Sequence, residues 1–277
     1  MTLGTRDRRR PAVAGMFYPA HPDELRALVQ DMLAEVGEPL QRARAAIVPH
    51  AGLIYSGRCA AQVWGRLAIP PVVVLIAPNH TGLLDNPGGA SAWSRGVFET
   101  PLGETPVAED LLARLEEACS LLRHDRAAHL REHAIEVELP FLRLLAPETK
   151  LAPIILAWDE WEPCKQLSDA IARVVAEWPQ DVLLVASSDM THYEPAERAA
   201  QKDRQALSAV ERLDGRELLA ICHRENVTMC GRAPSAVVLE AARQLGATRA
   251  EVVDYRHSGW VTGDDSGVVA YAGVVIS

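Results

Sequence analysis

The chain has no apolar stretch near the roughly 20 residues that a membrane helix needs, so no spanning segment is expected. Its beginning, with Arg8, Arg9 and Arg10 leading into Pro11-Ala12-Val13-Ala14-Gly15, lacks the apolar core of a secretory signal. Cysteine is scarce and odd in number. Cys59, Cys119, Cys164, Cys222 and Cys230 form no C-x-x-C pair, which excludes a disulfide scaffold and suits free thiols in a reducing, cytoplasmic setting. Positive charge is short as well: 28 Lys+Arg against 37 Asp+Glu give a net charge of -9, so neither nucleic acid nor an anionic membrane surface is an expected partner. The phosphate-cradling patterns G-x-G-x-x-G and G-x-x-x-x-G-K-[ST] and the nucleophile elbow G-x-S-x-G are all missing.

What is present reads as a globular α/β protein. Hydrophobic residues at 48% and charged residues at 23% are ordinary for a soluble fold. Neither a repeat nor a linker divides the 277 residues. The run Val182-Leu183-Leu184-Val185-Ala186 is apolar without alternation, the mark of a strand buried on both faces of a parallel sheet. It runs into Ser187-Ser188-Asp189-Met190-Thr191-His192-Tyr193. Two more strands end in the same manner: Ala45 to Pro49 leads to His50, and Val72 to Pro78 leads to Asn79-His80. Ligands gather at the carboxyl ends of strands in open α/β sheets, so these segments predict that His50, His80, Asp189 and His192 meet at one sheet edge.

Helical periodicity is expected over about 22–36, 55–67, 108–122, 163–178, 195–213, 216–223 and 234–245. The segment from Arg131 to Leu142 is predicted to form a helix interrupted or kinked at Pro140, with Glu132 and His133 in its first turn. His124 and His129 are expected as solvated loop histidines, and His223 as a surface residue at a helix end. Two apolar strands, about Glu251 to Tyr255 and Val268 to Ile276, close the chain. The expected architecture is a loose basic arm over 1–10 and one domain over 11–277. That domain is a single three-layer α/β unit, with a mostly parallel central sheet, helices on both faces and antiparallel closing strands.

Two histidines at strand ends need a third donor to hold a metal with open positions. Cys230, Asp189, His192 and Glu132 are the candidates. Cys230 precedes a helix start, where backbone N–H groups favour a thiolate. Such a set suits iron, copper or zinc. A hydrolase built on Ser187 or Ser188 with His192 is the weaker alternative, because both serines also read as turn or cap residues.

The successive motifs carry a family resemblance. Pro11 to Pro19, Val48-Pro49-His50-Ala51-Gly52 with Tyr55-Ser56-Gly57, Pro78-Asn79-His80-Thr81-Gly82, Glu132 to Leu142, Ser187 to Tyr193, Cys230-Gly231 and Ser258-Gly259 resemble, in order and over nearly the whole chain, the motifs of the Memo family. That family is also called AmmeMemoRadiSam system protein B. Its fold is similar to that of class III extradiol ring-cleaving dioxygenases, which hold non-haem Fe(II) with two histidines and a carboxylate. The resemblance implies a metal set of His50, His80 and Cys230, with the thiol where those dioxygenases have a carboxylate. That replacement softens the site and admits copper or zinc beside Fe(II). His192 and Asp189 would flank the metal as proton-handling residues, and Glu132, His133 and Tyr193 would face a small-molecule substrate or peptide. Radical-SAM and AMMECR-type proteins are the implied partners, and animal members are described as adaptors in cell-motility signalling. A metal-dependent redox enzyme and a non-catalytic metal-binding or partner-binding module are therefore the two expected functions.

Overall fold

The computed structural model describes residues 7–37 and 41–277. In chain order the elements are β1 (Arg8–Arg9), α1 (Pro22–Ala34), β2 (Ala45–Val48), α2 (Leu53–Trp64), β3 (Val72–Pro78), β4 (Ala90–Ala92), β5 (Val97–Thr100), β6 (Gly103–Pro106), α3 (Glu109–Ala118), β7 (Leu122–His124), α4 (Ala127–Leu130), α5 (Leu139–Leu145), β8 (Lys150–Leu156), α6 (Trp161–Ala176), β9 (Val182–Ser187), β10 (His192–Glu194), α7 (Ala196–Glu211), α8 (Gly215–Arg224), α9 (Arg232–Gln244), β11 (Ala250–His257), α10 (Gly259–Thr262) and β12 (Val268–Ile276).

The domain is built on a mixed sheet of nine strands among the described residues, ordered β10-β12-β2-β9-β3-β8-β4-β7, with β11 also on β12. Its centre is parallel: β2 pairs β9, β9 pairs β3, and β3 pairs β8. On either side of it the pairing turns antiparallel, with β12 on β2 and β4 on β8, and the outermost β7 runs parallel to β4. Every residue of β2, β3 and β9 is buried, as their unbroken apolar sequences require. Cover comes from both sides: α2 packs on β2 with α1 and α5 behind it, while α9 packs on β2, β3 and β9 and is backed by α6 and α8. The burial of each Val, Leu or Ile in these strands stabilises the fold by about 1.5–3 kcal/mol. The parallel strands therefore hold their ends rigidly.

Some expectations are corrected. Arg8 and Arg9 belong to no loose arm, because β1 pairs in parallel with β5 in a small sheet β1-β5-β6. Arg9 is 1% exposed and forms an ion pair with the equally buried Glu136, so burial and charge fix this segment. The remainder of the expected arm, residues 1–6, lies outside the described residues. Of the two forms expected at Pro140 the structure has no kinked helix: Pro140 lies in the first turn of α5, where its fixed φ and missing N–H are suited. Arg131 to Ile135 form a turn before a single 3-10 turn, Glu136–Glu138. His129 is no solvated loop residue. It sits on α4 at 1% exposure against Trp93 and Phe98, and burial pushes it down to about 4.

Candidate metal centre

Register explains why the chemistry converges. Val48, the last residue of β2, pairs with Ser187, the last residue of β9, and Ile76 of β3 pairs with Ala186. The three strands thus end near one level. His50, His80 and Asp189 each lie two residues beyond a strand end. Asp189 is nearly buried and ties two of these ends together, its Oδ1 accepting from the backbone N–H of His50 at 2.8 Å and of Ala51 at 3.3 Å. Burial raises its carboxyl to about 7 against the opposing pull of these N–H groups.

One donor atom each from His50, His80 and His133 lies within 4.8 Å of the others. The rings pack on one another: His80 and His133 stack at 4.6 Å, and His50 meets both edge-on at 5.1 and 5.4 Å. Phe17 closes the far side of His133 at 4.7 Å. The back of the cluster is polar. Glu132 Oε1 accepts from His80 Nδ1 at 2.9 Å and from the backbone N–H of His133 at 2.8 Å, and its Oε2 accepts from the His80 N–H at 2.7 Å. His50 Nδ1 meets Ser187 Oγ at 2.7 Å. With Nδ1 donating in both rings, the Nε2 lone pairs of His50 and His80 are free to face a cation.

The electrostatics agree with that arrangement. Burial, then His80, His133 and His192, hold His50 well below its ordinary value. Burial, against the pull of Glu132, pushes His133 down to about 4. Burial alone would raise Glu132, but its hydrogen bond to His80 and the charges of His80 and His133 hold it at about 2. At neutral pH His50 and His133 are therefore neutral donors with an ionised carboxylate behind the cluster, which is the state a metal requires.

Cys230 reaches the same place from the turn before α9. Its Sγ lies 3.3 Å from His50 Nε2 and accepts from the Asp189 N–H at 3.3 Å. The tight three-nitrogen cluster, however, is completed by His133, which was expected to face a substrate. Glu132, also expected there, is 1% exposed and spends both oxygens on His80, His133 and Ala134. Its place is behind the donors. In the metal-free protein burial, reinforced by Asp189, pushes the Cys230 thiol up against the opposing pull of the nearby N–H groups.

His192 Nδ1 donates to the Thr228 carbonyl at 3.0 Å, which leaves its Nε2 free. Burial, opposed by backbone hydrogen bonds and helped by His80, lowers its pKa. Tyr193 stands on the rim, 82% exposed and at φ 60°. The two serines offer no nucleophile. Both are 0% exposed; Ser187 serves His50, Ala134 and Glu138, while Ser188 Oγ donates to Asp189 O and accepts from the Gly231 N–H. Beside Cys230 a cleft of about 460 Å³ opens between Asn79, Leu84, Trp158, Asp159 and Arg232.

Sequence reasoning missed the place of His133 in the three-nitrogen cluster, although the adjacent acid–imidazole pair Glu132-His133 was its signal. It also missed Arg9. That side chain donates to the carbonyls of His129 and Glu132 and to Glu136, and nothing local announces a partner 127 residues away.

A sheet that delivers imidazoles and a thiol to one strand-end edge defines a single-domain α/β protein with a candidate mononuclear metal centre. The chain belongs to the Memo family: the family described as Memo-like protein matches residues 9–275. A MEMO1 family protein of Aquifex aeolicus strain VF5 is 43% identical over 268 residues, covering 96% of this chain and 98% of its own. One from Methanopyrus kandleri is 37% identical over 281 residues, covering 96% and 98%. The crystal structure of an uncharacterized protein from Escherichia coli K12 shares the fold with a TM-score of 0.51 at 14% identity, covering 84% of this chain and 100% of that one.

Proposed function

We propose that this protein holds one metal ion, iron(II) first and copper or zinc as alternates, and uses it for oxygen-dependent redox chemistry on a small substrate. The observation that carries the reading is the triangle of imidazoles of His50, His80 and His133, in which the Nδ1 atoms of His50 and His80 are tied back by Ser187 and Glu132. Nitrogen donors beside a thiol suit all three metals. The metal would supply Lewis-acid and redox chemistry, and the chain supplies the rest. His192 Nε2 takes or returns a proton, Asp189 fixes the turn that carries His50, and the cleft beside Cys230 receives the substrate. Cytoplasmic location belongs to the same reading, supported by five unbridged cysteines. Among the described residues no helix is long and apolar enough to cross a membrane.

The test is metal analysis of protein purified anaerobically. Wild type is expected to hold one iron per chain, and His50→Ala to hold none. Comparison of His133→Ala with Cys230→Ser decides which donor completes the set. Metal-free wild type from an iron-replete preparation would remove the reading.

A second reading, a metal-bearing docking module, is favoured by exposed apolar side chains: Met16 in a turn, Ile54 in the first turn of α2, Tyr193 in β10 and Trp260 in α10. Its partners would be a peptide or the radical-SAM and AMMECR-type proteins. Oxygen uptake by the iron-loaded protein with phenolic substrates separates the two: the enzyme consumes oxygen, whereas the module does not.

A further inference from the structure

Behind the imidazoles lies an acid with no evident task. Glu138, in the 3-10 turn before α5, is 0% exposed. Its Oε2 accepts from Trp64 Nε1 at 2.7 Å, and its Oε1 lies 3.2 Å from Ser187 Oγ. The nearest buried cation, Arg9, is committed to Glu136, and no ion pair to Glu138 exists among the described residues. The charges that reach it are the Asp189 carboxyl and, through Ser187, the His50 ring. A buried acid without a counter-ion is costly to keep, and glutamine would satisfy the same two neighbours.

Ser187 has one hydroxyl proton and three neighbours: His50 Nδ1 at 2.7 Å, Ala134 O at 2.9 Å and Glu138 Oε1 at 3.2 Å. When Glu138 is neutral, its own O–H donates to Ser187 Oγ and the hydroxyl donates to Ala134 O. When Glu138 is ionised, the hydroxyl turns to Oε1. In both states Ser187 Oγ accepts from His50 Nδ1–H, and His50 Nε2 keeps facing the cluster.

We propose that Glu138 is the buried counter-charge of the metal centre, linked through Ser187 to His50, and that metal binding expels its proton to solvent. The inference rests on the metal reading above. A dication enters, one proton leaves Glu138, and the buried site gains one charge from this exchange instead of two. Burial pushes the carboxyl up to about 8, so near neutral pH the proton is present to be released. Glu138 is thus a positioning residue, acting on the metal through the basicity of His50.

The test titrates Fe(II) alone, without oxygen, into the full chain, with calorimetry in buffers of different ionisation heat to count protons. Near pH 7 wild type is expected to release about one more proton per iron than Glu138→Gln. Above about pH 8 it should bind about tenfold more tightly than that variant. Ser187→Ala keeps the acid but cuts the link, and should weaken binding and move proton release to higher pH. Circular dichroism establishes that each variant is folded, and the serine variant carries the test alone if the glutamine variant is not. Equal proton counts and equal pH dependence in a folded variant overturn the proposal while leaving the metal reading intact. Failure of wild type to bind iron overturns both.

Discussion

Arg9 shows how one side chain can hold a site it never touches. Its guanidinium lies between Glu136 and the carbonyls of His129 and Glu132, and therefore braces the turn that carries Glu132 and His133. Glu136 in turn accepts from the N–H groups of Ala12 and Val13 and from the Tyr18 hydroxyl. Removing one member of a buried pair leaves the other charge uncompensated, at a cost of about 3–5 kcal/mol. Arg9→Ala is expected to lose that much stability by denaturant unfolding, whereas Arg8→Ala, whose side chain is about half exposed, should change little. A contrasting expectation holds at His192. Its Nδ1 is fixed by Thr228 and its ring lies outside the three-nitrogen cluster, so His192→Ala should keep its iron by metal analysis and lose turnover.

Among the elements around the site, the turn into α9 is tightly constrained by backbone. A Cβ on Gly231 would sit 2.4 Å from the Ser187 carbonyl oxygen and 2.4 Å from Ser188 Cβ. Backbone at the end of β9 cannot yield without moving Ser187 and Asp189. Gly231→Ala should therefore draw Cys230 away from His50, lower metal content and cost about 1–3 kcal/mol in stability, measured by metal analysis and thermal unfolding. The same elements show what a sequence can disclose. Runs such as Val72–Pro78 and Val182–Ser187 announce themselves because burial on both faces demands unbroken apolar residues, and the polar switch beyond each marks the site. By contrast β4, β7 and β10 have three residues each, too few for any period to register. The place of His133 depends on a turn held by Arg9 and Glu132, and the long-range ion pair has no local pattern.

For the molecule as a whole, the buried ionisable groups make stability depend on pH in a predictable direction. Burial pushes Glu138 up to about 8 from its ordinary 4.5. Between those values the folded metal-free protein retains a proton that the unfolded chain has released, so stability falls as pH rises, by at most about 1.4 kcal/mol per pH unit for this group. Asp189, pushed up to about 7, acts in the same direction and fades over the pH unit above that value. His129, pushed down to about 4 from 6.5, acts oppositely: the unfolded chain is the more protonated, so stability rises with pH until about 6.5 and then levels. Free thiols in the unfolded chain are half titrated near 8.5, and burial pushes Cys59, Cys164 and Cys222 up in the folded state, so they add to the decline from about pH 7.5. From about pH 7 to 8, Glu138 is the single group among these whose titration separates the folded and unfolded states most. The melting temperature of metal-free wild type is expected to decline over that interval, and that of Glu138→Gln to decline distinctly less. Calorimetric scans at closely spaced pH values check this, and an equal decline in both proteins would remove Glu138 as its source. Iron added at saturating concentration should flatten the wild-type curve as well, because a bound cation ionises Glu138 in the folded state and brings its titration toward that of the unfolded chain.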